Sequence, residues 1–200
     1  MVMDSLPKEI LVHVVHFLSF KDLKSCRLVS KRFLEAAIER SLWKNFVLGI
    51  TRSNLSKLNK IFQLEIMKDL RNVNITGCSI KTEHVKLLID NDITSLHLGY
   101  GNDVENDCRI DKVSVKSLAT LVTKLKAFKC QNTLDSEMTH KQVKEICDKL
   151  NKPHQLSCLE MHYNNHLTSI VPYHLACALT SVSELTLGLH FKPLASVKSY

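Results

Sequence analysis

A chain of 200 residues with 44% hydrophobic and 24% charged side chains, and only 5 Gly and 4 Pro, is long enough for one ordinary domain or a small module joined to a longer one. That composition excludes a disordered or low-complexity protein. The net charge of +7 is spread thinly, with 12 basic and 7 acidic side chains over residues 1–69 and 15 and 13 over residues 70–200; without a basic run or an aromatic platform it argues against nucleic acid as the partner.

No apolar run reaches the length of a bilayer span, the longest being broken at His13 and His16. The opening residues lack the basic flank and apolar core of a secretory signal. The expectation is an intracellular protein of cytoplasm, nucleus or both, with no membrane contact. Seven cysteines run from Cys26 to Cys177 without a CxxC pair, as free thiols of a reducing compartment do. Cys158-x-x-x-His162-x-x-x-His166 would share a face only on a helix, and its surroundings read as a strand running into a turn. Neither a metal nor a cofactor is expected.

The first helix begins at Pro7, which suits a first turn because its missing N–H would have been unpaired there, with Glu9 at the positive end of the dipole. Ile10, Val14 and Phe17 lie at i, i+4, i+7, and Leu11, Val15 and Leu18 repeat the spacing one residue on. Two adjoining apolar stripes are wider than one supporting face requires. Part of the band should cover the module's own core and the rest a partner. Ser19-x-x-Asp22 has the form of a helix-start box, and a short helix then turns Leu23 and Cys26 inward. Ser30 can cap a third helix, in which Phe33, Ala36, Ala37 and Arg40 follow helical spacing; a last stretch brings Leu42, Trp43 and Phe46 together.

Leu6-Pro7-x-Glu9-Ile10-Leu11, Phe17-Leu18-Ser19, Asp22-Leu23-x-x-Cys26-Arg27-x-Val29-Ser30-Lys31-Arg32-Phe33 and Leu42-Trp43 together resemble the F-box. About twelve spaced positions agree over residues 4–47, with Phe33 standing where many members carry Trp. The resemblance implies a three-helix module over residues 1–50 that docks on a Skp-type adaptor, and through it on a cullin and a RING protein. The positions it implies for that dock are Leu6, Pro7, Ile10, Leu11, Val14, Leu18, Leu23 and Val29.

Over residues 51–69, Leu55, Leu58, Ile61, Phe62 and Ile66 predict one amphipathic connecting helix. Beyond it a six-residue phrase returns five times: Leu70-x-x-Val73-x-Ile75, Ile93-x-x-Leu96-x-Leu98, Leu125-x-x-Phe128-x-Cys130, Leu156-x-x-Leu159-x-Met161 and Val182-x-x-Leu185-x-Leu187. The starts are 23, 32, 31 and 26 residues apart, in or just above the roughly 20–29 of leucine-rich repeats. Each phrase alternates as a strand does. Helical spacing follows at Val85, Leu88 and Ile89, at Val115, Leu118, Leu121 and Val122, at Val143, Ile146, Cys147 and Leu150, and after Pro172 at Leu175, Ala178 and Leu179. The predicted architecture is α followed by α/β: the helical module, then a solenoid with parallel strands on its concave side and helices on its convex side.

Leu70-x-x-Val73-x-Ile75-x-x-Cys78-x-Ile80 resembles a leucine-rich repeat most closely, with Cys78 at the family's Asn/Cys position and Asn164 at the same place in the fourth unit. Residues 70–200 then hold about five irregular repeats, the last incomplete. Its strand and apolar edge are expected to continue in a longer product or to be covered by another chain. Acidic insertions follow the second and third strands, over residues 102–108 and 132–137, as solvated loops or as a rim for a basic partner.

In such strands the residues between the apolar positions face outward. Asn72, Asn74, Ser95, His97, Lys129, Gln131, Glu160, His162 and Glu184 are therefore the candidates to contact an unknown protein substrate. No nucleophile elbow or phosphate-cradling loop marks the chain as an enzyme. The function that the resemblance implies is that of a non-catalytic substrate-recognition subunit of an SCF-type ubiquitin ligase, serving proteasomal degradation. An F-box scaffold that binds the adaptor without delivering a substrate is the alternative.

Overall fold

The computed structural model describes residues 6–99, 109–110, 115–134, 140–150, 155–164 and 182–190. The chain begins with α1 (Lys8–Val15), whose Leu11 N–H donates to the Pro7 carbonyl. Helix α2 (Phe20–Cys26) starts as its sequence predicts: Ser19 Oγ accepts the Asp22 N–H at 3.2 Å and donates to the Asp22 carboxylate at 2.6 Å. Ser30 Oγ likewise takes the Phe33 N–H at the head of α3 (Lys31–Ala37). Such caps satisfy N–H groups that would otherwise have no partner. The stretch with Leu42 and Trp43 forms a fourth short helix, α4 (Arg40–Asn45), where three were expected. Leu11, Val15, Leu23, Phe33, Ala36, Ala37, Leu42 and Trp43 are the module's core. Trp43 closes it: its Nε1–H donates to the Ala37 carbonyl at 3.0 Å and its ring lies 5.1 Å from Phe46 and 6.3 Å from Phe20.

The chain leaves α4 as a strand that the sequence reading did not include, β1 (Val47–Ile50). Leu48 and Ile50 are buried and Val47 is exposed, the alternation of a half-buried strand. Over residues 51–69 the single expected helix is instead a 3₁₀ turn at Leu55–Lys57, a short α5 (Leu58–Phe62) and a second 3₁₀ turn at Glu65–Met67. The reason lies in the spacing of the buried residues. Leu58 and Phe62 are four apart, but Met67 follows five later, which on a continuous helix would swing it off their face. The chain extends at Leu64 (ψ 131°) and restarts, keeping Met67 inside.

Every predicted phrase whose strand is described does form one. These are β2 (Asn72–Thr76), β4 (Ser95–Gly99), β6 (Ala127–Leu134), β7 (Cys158–Asn164) and β8 (Glu184–His190); a two-residue β3 (Ser79–Ile80) pairs in parallel with β5 (Arg109–Ile110) beside them. The described strands of the main sheet run parallel in the order β1-β2-β4-β6-β7-β8. The phrases stand in register: Val73, Leu96, Phe128, Leu159 and Leu185 are successive partners, and so are Ile75, Leu98, Cys130, Met161 and Leu187. One hydrogen-bonding device recurs at the starts of β4, β6, β7 and β8. The carbonyls of Arg71, Thr94, Lys126 and Ser157 each accept two N–H groups, one from the first residue of the next strand and one from the residue before it. The register slips between Gln131 and Leu134, where the chain runs into the second insertion.

Parallel strands need crossovers, and the described ones carry α6 (Thr82–Asp90), α7 (Val115–Val122) and α8 (His140–Leu150). Val85, Leu88, Val115, Leu118, Leu121, Val122, Ile146 and Cys147 join the inward strand residues in one core that also contains the helical module's interior. The expected helix after Pro172 and the insertion at 102–108 lie outside the described residues. Two residues past the end of α6, Asp92 takes the left-handed region (φ 51°), and the turn after β2 uses Gly77 at φ 61°, where Gly has no Cβ penalty.

Helix α6 is also capped by a titratable group. The Lys81 N–H donates to His84 Nδ1 at 3.1 Å, so the ring must be unprotonated there. Burial pushes the His84 pKa below its ordinary value, with the Glu83 carboxylate opposing the shift. An unfolded histidine takes its proton at about pH 6.5. A depressed folded pKa therefore contributes stability that is complete above that pH and is lost as the pH falls through the folded pKa. Urea midpoints of the chain and of His84→Gln, whose amide oxygen can accept the same N–H, should diverge in pH dependence. The wild type should lose stability relative to the variant between neutral and mildly acidic pH, and parallel curves would exclude His84 as a pH-sensitive cap.

Candidate docking surfaces

The two stripes of α1 part company in the fold. Leu11 and Val15 are 1% and 0% exposed, whereas Ile10, Val14 and Phe17 are 46%, 40% and 75% exposed. The second apolar exposure is the turn that ends α2, where Leu28 and Val29 stand 88% and 68% exposed. That turn is made by the Leu28 N–H to the Ser25 carbonyl and the Val29 N–H to the Cys26 carbonyl, which carry both side chains off the core. Monomer surfaces seldom leave several large apolar side chains in water without a partner.

Of the residues predicted for the dock, Pro7, Ile10, Val14 and Val29 are exposed and Leu6 and Leu18 are half-buried. Leu11 and Leu23 are both 1% exposed, packed in the module's own interior. Leu28 was not foreseen, since a lone leucine beyond a helix end has no periodic signal. The Arg32 guanidinium donates to the Leu6 carbonyl and so ties the start of α1 to α3, and Lys8 pairs with Glu39 across the module. Phe17 is flanked edge-on by His13 and His16, at 5.2 and 6.1 Å between ring centres.

On the outward side of the sheet, the predicted residues fall into rows set by the register. Asn72, Ser95, Ala127, Cys158 and Glu184 form one row, and Gly49, Asn74, His97, Lys129, Glu160 and Thr186 the next. Asn72, Asn74, Ser95, His97 and Glu160 are half-buried, and Lys129 and Glu184 exposed. Asn72 is partly committed to the fold, its Nδ2–H donating to the Lys44 carbonyl at 3.0 Å. Lys129 Nζ lies 3.3 Å from Glu160 Oε2. Burial, and then a hydrogen bond to Glu184, push the Cys158 thiol pKa up, keeping it protonated. His97 leans along its strand over Gly99, where a Cβ would stand 3.4 Å from its Nε2. Gln131 and His162 are partners in the third row, and their side chains lie outside the description.

Among the described residues no group of three or more His, Cys, Asp or Glu side chains is placed to hold a metal ion, and no helix is long and apolar enough to cross a membrane. A helical module with an exposed apolar stripe thus shares its core with a parallel sheet. Residues 3–49 match the F-box-like family model. No curated protein matches the chain.

Proposed function

We propose that this chain is the substrate-receiving subunit of an SCF-type cullin–RING ubiquitin ligase. The observation that carries the reading is the exposed stripe of Ile10, Val14 and Phe17, with Leu28 and Val29, inside the segment that matches the F-box-like model. An apolar band left in water on a module too small to need it is what docking on a Skp-type adaptor, linked to a cullin and a RING protein, would cover. The strands from β2 to β8 and their helices read as irregular leucine-rich repeats, which the common register of the five phrases supports. The outward rows then offer a target protein a mixed polar face of Asn74, Ser95, His97, Lys129, Glu160 and Glu184, suited to recognition by hydrogen bonds and shape. The chain itself performs no chemistry in this reading. It raises the effective concentration of a target lysine near a charged ubiquitin carrier.

The test separates the two faces. A tagged chain recovered under proteasome block should carry the adaptor together with ubiquitin-modified proteins. His97→Ala, Lys129→Ala and Glu184→Ala combined should leave adaptor recovery unchanged and reduce the modified proteins by about tenfold or more, as loss of a few central contacts does. Adaptor recovery with no modified protein in either form would replace the ligase reading with that of an F-box scaffold.

A further inference from the structure

The C-terminal ends of β1 and β2 form a cleft that neither docking surface uses. The register Ile50–Ile75 sets the two strand ends side by side. After β1 a tight turn, closed by the Thr51 N–H on Asn54 Oδ1 at 2.7 Å, carries Arg52 at its tip. After β2 the chain turns at Gly77 and delivers Ser79 and Lys81 to the start of α6. Between them lies a cavity of about 560 Å³, with Arg52 and Lys81 on its walls, Ser56, Asn59 and Ser79 as further donors, and buried Leu58 in its floor.

Arg52 and Lys81 are exposed, and neither joins an ion pair among the described residues. The Arg52 charge reaches inward far enough to oppose the upward shift that burial imposes on the Cys78 thiol. The one carboxylate at the cleft, Glu83, lies 3.8 Å from His84 Nε2. The start of α6 adds no free donor at Lys81, whose N–H is taken by His84, so the proposal rests on the side chains. Two cations that line one cleft together with hydroxyl and amide donors are complementary to an oxyanion, and a guanidinium can grip one through two parallel hydrogen bonds. The volume exceeds that of a bare phosphate and leaves room for the residue that carries it.

We propose that this cleft binds an anionic side chain of the target protein, a phosphorylated residue or a carboxylate, through Arg52 and Lys81; the identity of the bearer as a target rests on the function proposed above. The ¹⁵N-labelled full chain is titrated with N-acetyl-phosphoserine methylamide, and separately with N-acetyl-glutamate methylamide, against chloride at matched ionic strength. Saturable shifts at Arg52, Ser56, Ser79 and Lys81 are expected, weakened about tenfold or more in Arg52→Ala/Lys81→Ala. Both residues are exposed, so that variant should keep its fold. Shifts with the phosphorylated probe alone identify a phosphorylated residue, and shifts with both admit a carboxylate. Shifts that fail to saturate, that chloride reproduces, or that survive in the variant overturn the proposal. Adaptor binding measured on the same samples keeps the two readings apart: adaptor bound without anion binding defeats the cleft alone, and anion binding without adaptor defeats only the function proposed above.

Discussion

Replacing Ile10, Val14 and Phe17 together by Ala should abolish recovery of the Skp-type adaptor while leaving the chain folded. Anchors buried on docking typically cost about 2 kcal/mol each when truncated. Even with incomplete additivity, the three should lower affinity by roughly a thousandfold, equivalent to about 4 kcal/mol. Stability should fall far less than affinity, because Phe17 is 75% exposed and Ile10 and Val14 are only partly covered, and substitutions at such surface positions usually shift it by no more than about 0.5 kcal/mol each. Leu11→Ala and Val15→Ala should behave in the opposite sense. These side chains fill the interior, and truncating a buried leucine costs about 2–5 kcal/mol through lost burial and the cavity left behind. Surface-plasmon resonance with the adaptor, alongside urea unfolding of each variant, distinguishes them. If the exposed triple variant binds the adaptor as tightly as the wild type, the stripe is not the dock.

That experiment turns on a distinction that α1 could not disclose alone. Ile10, Val14 and Phe17 have the same spacing as Leu11, Val15 and Leu18, so periodicity reveals two stripes without saying which faces inward. The choice is made by α3, which packs on α1 and whose Phe33, Ala36 and Ala37 are buried. Leu11 and Leu23 stand among the expected docking positions although both are buried, because an apolar residue bound for an interface and one bound for a core have the same chemistry.

The sheet was far more legible, because a strand's period of two and the return of a whole phrase are local signals. Val73, Leu96, Phe128 and Leu159 appear as equivalent positions in the sequence and are register partners in the fold. Strand β1 escaped notice because Val47-Leu48-Gly49-Ile50 is too short to show a pattern and is made a strand by its partner, Asn72–Ile75, more than twenty residues on. Arg52 and Lys81 were invisible as a pair for a similar reason. They stand 29 residues apart in the chain, and only the pairing of β1 with β2 brings them to one cleft.

Strand β1 also makes a prediction about how the chain unfolds. It leaves α4 directly, pairs with β2, and is held to the module by Trp43 against Phe46, by the Asn72 amide on the Lys44 carbonyl, and by Arg40 Nε at 3.3 Å from the Asp69 carboxylate. The Arg40 side chain of that ion pair is largely exposed, so the pair contributes little and the coupling rests on the apolar core. Trp43→Ala removes the largest buried side chain of that core and leaves the Ala37 carbonyl without its donor. The expected loss is about 3–5 kcal/mol, a large part of the roughly 5–15 kcal/mol that holds a domain together. Trp43→Phe keeps a ring beside Phe46 and forfeits mainly the hydrogen bond, for about 1–2 kcal/mol. Because one core runs from Leu11 to Met161, the damage should not stay in the helices. Native-state hydrogen exchange should show the amides of Leu48 and Val73 losing protection together with those of Leu11 and Phe33, in one cooperative step. If Trp43→Ala exposes the helices while Val73 and Leu96 keep their wild-type protection, the module and the sheet unfold as separate units and β1 does not couple them.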